Sequence, residues 1–296
     1  MSRQTSPSTH RPYGIARVLR VWDLPRSTFS AQRERRAEPA TGRRGRTPTL
    51  DDAALLVQIR AVIAESPFHG EGHRKIWARL RTLKGVRTSM RRVLRVMREA
   101  ELLAPARQPA PVVEHPHDGT IVTDRPNVMW GTDATAAVTL TEGTATIFAA
   151  IDHCTAECVG IHAAKYGDRF EALEPIRQGV RDHFGGLAPA TAAGLALRHD
   201  HGSVYLSADF QAEVTFLGMT SSPAFVRQPE GNGCIERFFR TLKEQLLWVR
   251  HFSTIEELRH ALLTFTETYN REWLIARLGY RSPAQVRQAF AVRPAA

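Results

Sequence analysis

Cysteine is scarce in this chain, with three residues, Cys154, Cys158 and Cys234, among 296. Three thiols cannot build a disulfide framework, and so low a count suits a reducing cytosol. No run of about 18 apolar residues occurs, so no membrane span is expected. The opening segment MSRQTSPSTHRPYG lacks an apolar stretch of export-signal length. Neither a Gly-rich phosphate loop nor a Ser-His-Asp order is apparent, which sets aside nucleotide triphosphatases and serine hydrolases. Lysine is also rare, supplying four of the forty basic residues.

With 43% apolar and 24% charged residues, the composition is that of a globular protein with a core. The length accommodates one domain of ordinary size plus one or two small modules. The net charge of +10 is unevenly spread. Residues 1–111 hold 23 Lys or Arg against 9 Asp or Glu, while the remainder holds 17 against 21. An arginine-rich genome raises the total but does not produce this asymmetry. A basic N-terminal third points to a polyanionic partner, nucleic acid first, and an acidic remainder to a different task.

Two stretches, Ala37 to Leu50 and the proline-rich Ala104 to Asn127, read as linkers and divide the chain into three. In the first part Ile15, Val18, Leu19 and Trp22 fall at helical spacing. Asp23-Leu24-Pro25 breaks the pattern before a short helix from Arg26 to Arg36, the outline of a helix-turn-helix. In the second part Leu55, Ile59 and Ile63 make one stripe, and Ile76, Trp77, Leu80 and Leu83 another. A third helix opens at Ser89, a good N-cap, with Val93, Leu94, Met97 and Ala100 inward and Arg91, Arg92, Arg95 and Arg98 outward. That basic face suits a major-groove reader, and fits equally an ordinary three-helix bundle with a solvated side.

The third part reads differently. Val128 to Leu140, Thr144 to Asp152 and Cys158 to Ala164 form a β-meander, turning first at Thr141-Glu142-Gly143. An amphipathic helix from Phe170 to Phe184 follows, then a strand from Leu195 to His199 and a helix from Ser207 to Leu217. A strand from Ser221 to Phe225 and long helices from Gly233 to Trp248 and from Thr254 to Trp273 complete the order. Three antiparallel strands followed by alternating helix and strand are the order of a ribonuclease-H-like α/β fold with a mixed five-stranded sheet. The expected divisions are a helical segment at 1–45, a helix-turn-helix domain at 51–104, a catalytic core at 120–287 and a tail at 288–296.

This order sets Asp133 in the first strand, Asp200 at the end of the neighbouring fourth strand and Glu236 one turn into the long helix. Converging carboxylates repel, by about 4 kcal/mol per pair at 4 Å in an effective dielectric near 20, so such a trio makes sense chiefly around cations. Two divalent ions held by hard oxygen ligands can activate an attacking oxygen and accept charge on a leaving one in phosphodiester chemistry. Taken singly, each acid also fits a turn, a strand edge or a solvated helix face. Glu236, Arg240 and Lys243, at i, i+4 and i+7, share a helix face, so both cations can reach flanking phosphates or simply sit in solvent. Gly231-Asn232-Gly233 reads as a mobile loop. His153, Cys154, Cys158 and His162 look superficially like a zinc cluster, but lie on strands without a second Cys pair, and ordinary burial is expected. Asp152 reads as a strand-end residue. His199 and His201 are expected to point away from the Asp200 side chain.

The segments Trp130 to Thr135 (WGTDAT), Asp200 to Phe210 (DHGSVYLSADF) and Asn232 to Lys243 (NGCIERFFRTLK) resemble the three motifs of the integrase-core transposases of bacterial insertion sequences, relatives of retroviral integrases. Asp200 and Glu236 have 35 residues between them, the spacing of the D,D(35)E class. Residues 68–103 resemble the helix-turn-helix segment that precedes the core in that family. The resemblance implies a ribonuclease-H-like fold with Asp133, Asp200 and Glu236 as catalytic metal ligands, and Mg²⁺ or Mn²⁺, two ions, as cofactor. It implies binding of double-stranded DNA, both terminal inverted repeats and target, through Arg240, Lys243, Arg91, Arg92, Arg95, Arg98 and Lys75. A homo-oligomeric synaptic complex, an upstream-frame partner protein and a place in the bacterial cytoplasm at the nucleoid follow from it too. The rival readings are an inactive, DNA-binding regulator and a ribonuclease-H-like nuclease. The sequence departs from the family pattern at Arg198-His199-Asp200, at His201, and at Trp273 and Ile275, which stand where Arg and His are usual.

Overall fold

The computed structural model describes residues 3–37, 50–104, 121–224 and 232–291, and these divide into two compact units, Met1–Asp51 and Asp52–Ala296. Most of both expected linkers lies outside the described residues.

In the first unit, helices α1 (Ile15–Val21) and α2 (Arg26–Ala37) flank the break at Asp23, whose backbone is left-handed at φ 52°. Leu19 is its one buried apolar side chain among the described residues, while Val21 and Trp22 face solvent.

The second unit begins with α3 (Asp52–Glu65), α4 (His73–Leu83) and α5 (Met90–Glu99). Leu55, Ile59, Val62, Ile76, Leu80, Val93, Val96 and Met97 are buried. Val96, not the expected Leu94 or Ala100, completes the α5 stripe, because 93, 96 and 97 share a narrower face than the sequence pattern suggested. The Ser89 side chain caps α5 by accepting from the Arg92 amide.

Strands β1 (Met129–Thr139), β2 (Gly143–Asp152) and β3 (Cys158–Ala164) pair antiparallel, and β4 (Ala196–His199) and β5 (Thr220–Pro223) extend the sheet in parallel, giving the order β3-β2-β1-β4-β5. Helices α6 (Arg169–Phe184) and α7 (Ala208–Phe216) cover one face, burying Trp130, Phe148, Val159, Leu173, Ile176 and Phe210. On the other face α8 (Gly233–Leu242) and α9 (Ile255–Glu272) pack Ile235, Phe238, Leu242, Leu258 and Leu262 onto Ile147, Ile151 and Ile161. The expected long helix does not run on as α-helix to Trp248. It widens into a π turn at Lys243–Leu247, where the Trp248 amide donates to the Lys243 carbonyl at 2.9 Å. A last helix, α10 (Pro283–Ala291), occupies part of the expected tail.

The α3–α5 module is not separate from the sheet but joined to it. Phe68 belongs to the apolar cluster under α8 and α9 and meets Trp273 edge-on at 4.7 Å. His69 and Gln245 exchange two hydrogen bonds, the His69 amide to Oε1 at 2.8 Å and Nε2 to the His69 carbonyl at 3.0 Å. Arg79, paired with the buried Glu71, also donates to the Glu272 carbonyl. The Lys75 ammonium lies 2.7 Å from the centre of the Trp273 ring and 3.8 Å from Glu71. Trp273, one of the departures from the family pattern, therefore supplies this contact between module and core.

Burial pushes Lys75 down to about 7, against the opposing charge of Glu71. Between about 7 and the ordinary lysine value the unfolded chain binds a proton that the folded chain does not, so stability rises with pH across that window and the full cost of charge burial is borne below it. Raising the pH from 7 to 9 is expected to add on the order of 2 kcal/mol of stability in wild type and much less in Lys75→Met. Urea midpoints at both pH values check this, and equal increments in the two proteins would contradict it.

Candidate active site

The parallel pairing of β1 with β4 ends at Gly131 and Arg198, two residues before Asp133 and Asp200. Beyond that point the two strands no longer share hydrogen bonds, and both acids occupy the place where the sheet opens. Residues 131, 133, 135 and 137 of β1 alternate onto the face covered by α8, the helix that carries Glu236 in its first turn.

Asp133 is half-buried, and its Oδ1 accepts from the Ala134 amide at 2.8 Å. Desolvation pushes its carboxyl up to about 6; the Ala134 hydrogen bond opposes this, the charges of Asp200 and Glu236 add to it, and Lys243 pulls it back. All three acids thus act on one region, together with a lysine that sequence reasoning assigned to phosphate. Asp200 is exposed, with Oδ1 accepting from the Gly202 amide at 2.8 Å. A Cβ on residue 202 would lie 2.9 Å from that oxygen, so glycine keeps the loop closed around the carboxylate. Glu236 is exposed near the positive end of α8.

Among the described residues no three His, Cys, Asp or Glu side chains stand close enough to hold a metal ion as placed. The donor chemistry nonetheless fits a hard divalent cation: three carboxylates, one of them desolvated and raised by the other two, form a site short of positive charge.

The flanking histidines point away from the Asp200 carboxylate. His199 is buried, bonded through Nε2 to Ser221 and stacked on Tyr205, and His201 Nε2 meets the Ala224 carbonyl. Tyr205 lies beside Asp133 and Asp200, and burial with their charges raises its phenol above the ordinary range. Asp152 holds a turn, accepting from the Thr155 amide and hydroxyl and from the Asn127 amide, and pairs with Arg287 at 3.6 Å. The zinc-like residues are dispersed in role. His162 bonds Glu171, His153 Nδ1 bonds the Ile121 carbonyl, and burial pushes the Cys158 thiol up to about 12.

The expected DNA contacts differ in their surroundings. Arg91 and Arg98 are exposed on α5. Arg92 and Arg95 both hold Asp52 of α3, at 2.8 and 2.6 Å, and Arg95 also holds Glu99. Arg240 borders a cavity of about 400 Å³ between α4, α8 and residues 273–277, which Lys75 and Arg237 also line. Lys75 differs from a plain surface cation: its ammonium is turned inward onto Trp273 and Glu71, at a desolvation cost that these two contacts offset only in part. Asn232 also differs from expectation. It takes a buried N-cap position of α8, with Nδ2 donating to the Thr132 carbonyl at 3.1 Å, a contact that only the tertiary structure reveals. Gly231 lies outside the described residues.

A family model described as an HTH-like domain matches residues 49–110, and one described as an integrase core domain matches residues 217–283. The transposase InsD for insertion element IS2A/D/F/H/I/K of Escherichia coli is 27% identical over 280 residues, covering 93% of this chain and 91% of that protein. This chain is a relative of the insertion-sequence transposases. A second E. coli relative, the insertion element IS2A uncharacterized 48.2 kDa protein, is 27% identical over 285 residues, and the chain spans 66% of its length. Among solved structures, the catalytic core domain of BIV integrase is 17% identical with a TM-score of 0.41, covering 56% of this chain and 96% of that one. The HTLV-2 integrase catalytic core domain in complex with magnesium is 17% identical with a TM-score of 0.42, covering 55% and 98%. In this transposase relative the integrase-core match runs from the end of α7 through α9, and the HTH-like match covers α3 to α5. No helix among the described residues is long and apolar enough to cross a membrane.

Proposed function

We propose that this chain is a transposase that cuts DNA at the ends of an insertion sequence and joins the freed 3′ ends to target DNA, with Asp133, Asp200 and Glu236 as its metal-holding acids. The observation that carries the reading is the action of Asp200 and Glu236 on the desolvated Asp133 where β1 and β4 part. Two Mg²⁺ or Mn²⁺ ions bound there supply Lewis acidity, easing deprotonation of the attacking oxygen and charge build-up on the leaving one.

The residues around the trio orient the DNA. Lys243, whose charge already reaches Asp133, and Arg240 one turn before it hold phosphates beside the scissile bond. Arg91 and Arg98 contact the terminal repeats from α5, and Asp52 fixes Arg92 and Arg95 in position to join them. Water attacks first and a 3′-hydroxyl second, each in line with the leaving oxygen, so no covalent protein intermediate forms. Joining requires two ends at once, hence a dimer or larger assembly. A partner protein from an upstream reading frame belongs to the same reading. The protein works on the bacterial chromosome, in the cytoplasm.

The test is incubation of the purified protein with labelled element ends and target plasmid in Mg²⁺ or Mn²⁺. Joined products are expected. Hydrolysis without joining would make the chain a nuclease on this scaffold, and binding without any cutting would make it a regulator. Either result overturns the proposal.

A further inference from the structure

The start of α8 is tied to β1 by a buried polar contact that the chemistry above does not use. Asn232, 6% exposed, donates from Nδ2 to the Thr132 carbonyl, one residue beyond the last β1–β4 pair and next to Asp133. That bond fixes the amide orientation, so Oδ1 faces the other way as an acceptor. His153, fully buried, stands opposite. Its Nδ1 meets the Ile121 carbonyl, which can only accept, so Nδ1 carries the proton; burial lowers its basicity, so Nε2 is a bare acceptor. Among the described residues neither Asn232 Oδ1 nor His153 Nε2 has a partner.

Both atoms converge on one point. A Cβ on Gly131 would lie 2.6 Å from Asn232 Oδ1 and 2.7 Å from His153 Nε2. Only glycine lets both side chains come this close to the strand, since any Cβ at 131 would collide with the two of them. Gly131 shares its β1 face with Asp133, and Asn232 precedes Glu236 by one helical turn. The backbone of His153 is itself held, its carbonyl accepting from Arg277 at 3.2 Å and its amide donating to Met129 at 3.0 Å.

We propose that Gly131, His153 and Asn232 form a lock that sets α8 against β1, and that Asn232 is thereby a positioning residue for Glu236 relative to Asp133. Its link to metal and DNA rests on the function proposed above, whereas the lock itself can be read without either. Asn232→Ala removes the amide and its bond to Thr132, and Asn232→Asp keeps the size but loses the donor to Thr132.

In metal-free protein, amide hydrogen exchange at the first turn of α8 is expected to quicken by about tenfold or more in both variants, while exchange at the centre of β2 stays as in wild type. The Mn²⁺ concentration that gives half of the maximal rise in Tm is expected to increase by about tenfold, the effect of losing a supporting contact behind a ligand. Unchanged α8 exchange in the variants overturns the lock. Quickened exchange at α8 and β2 alike also overturns it, since Asn232 would then serve only global stability. If α8 exchange quickens but Mn²⁺ leaves the Tm of wild type unmoved, the lock stands and the metal-dependent function falls.

Discussion

Glu236→Gln and Asp133→Asn are each expected to lower strand cutting and joining by about 10³-fold or more, roughly 4 kcal/mol of transition-state stabilisation, while leaving DNA affinity nearly intact. Both changes keep the shape of the side chain and remove its charge. Glu236 is exposed on α8, so loss of its charge leaves the helix in place. Asp133→Asn also relieves the desolvation, and with it the repulsion from Asp200 and Glu236, that raise the native carboxyl, so the variant should be no less stable than wild type. Gel-shift affinity, Tm and single-turnover cutting on the same preparations separate these effects. Residual activity within about tenfold of wild type in either variant would remove that acid from the chemistry.

The second large effect concerns the scaffold. Gly160 on β3 faces Pro175 inside α6, and a Cβ there would lie 2.0 Å from the Pro175 carbonyl oxygen and 2.7 Å from its carbon. Backbone cannot rotate aside as a side chain can, so helix and sheet would have to separate. Gly179 on the same helix faces the Trp130 ring in the same manner, at 2.8 Å. Gly160→Ala is therefore expected to cost about 3 kcal/mol or more, a large part of a typical stability of about 5–15 kcal/mol. Its Tm should fall by roughly 10 °C. A fall under about 2 °C would show that α6 is free to shift along the sheet.

Much of the core was legible because its signals are local. Strand β3 ends where its β-rich run ends, and the Thr141-Glu142-Gly143 turn sets the register in which Asp133 faces Ala149. Asp200 follows β4 because its run stops at His199, and β4 beside β1 follows from the order of elements. What was missed depends on contacts between distant residues. Asn232 sits between two glycines and reads as a loop, and only Thr132 and His153 give it a buried place. Lys75 reads as a surface cation because nothing near it in sequence announces Trp273. Arg92 and Arg95 lie on the expected polar side, yet Asp52, some forty residues earlier, claims both. Helix α10 is a different kind of miss, since its start was readable. Ser282 accepts from the Gln285 amide while Gln285 accepts from the Ser282 amide, a capping box with proline at the first helical position. That helix carries Arg287, which holds Asp152 and Glu157.

The clasp between His69 and Gln245, with Phe68 and Lys75 against Trp273, ties the α3–α5 module to the elements that cover the sheet. Under the proposed function such a chain behaves as a caliper. The distance along DNA from the bases read by α5 to the bond broken at the acids is then written in protein, so it varies only when the protein bends.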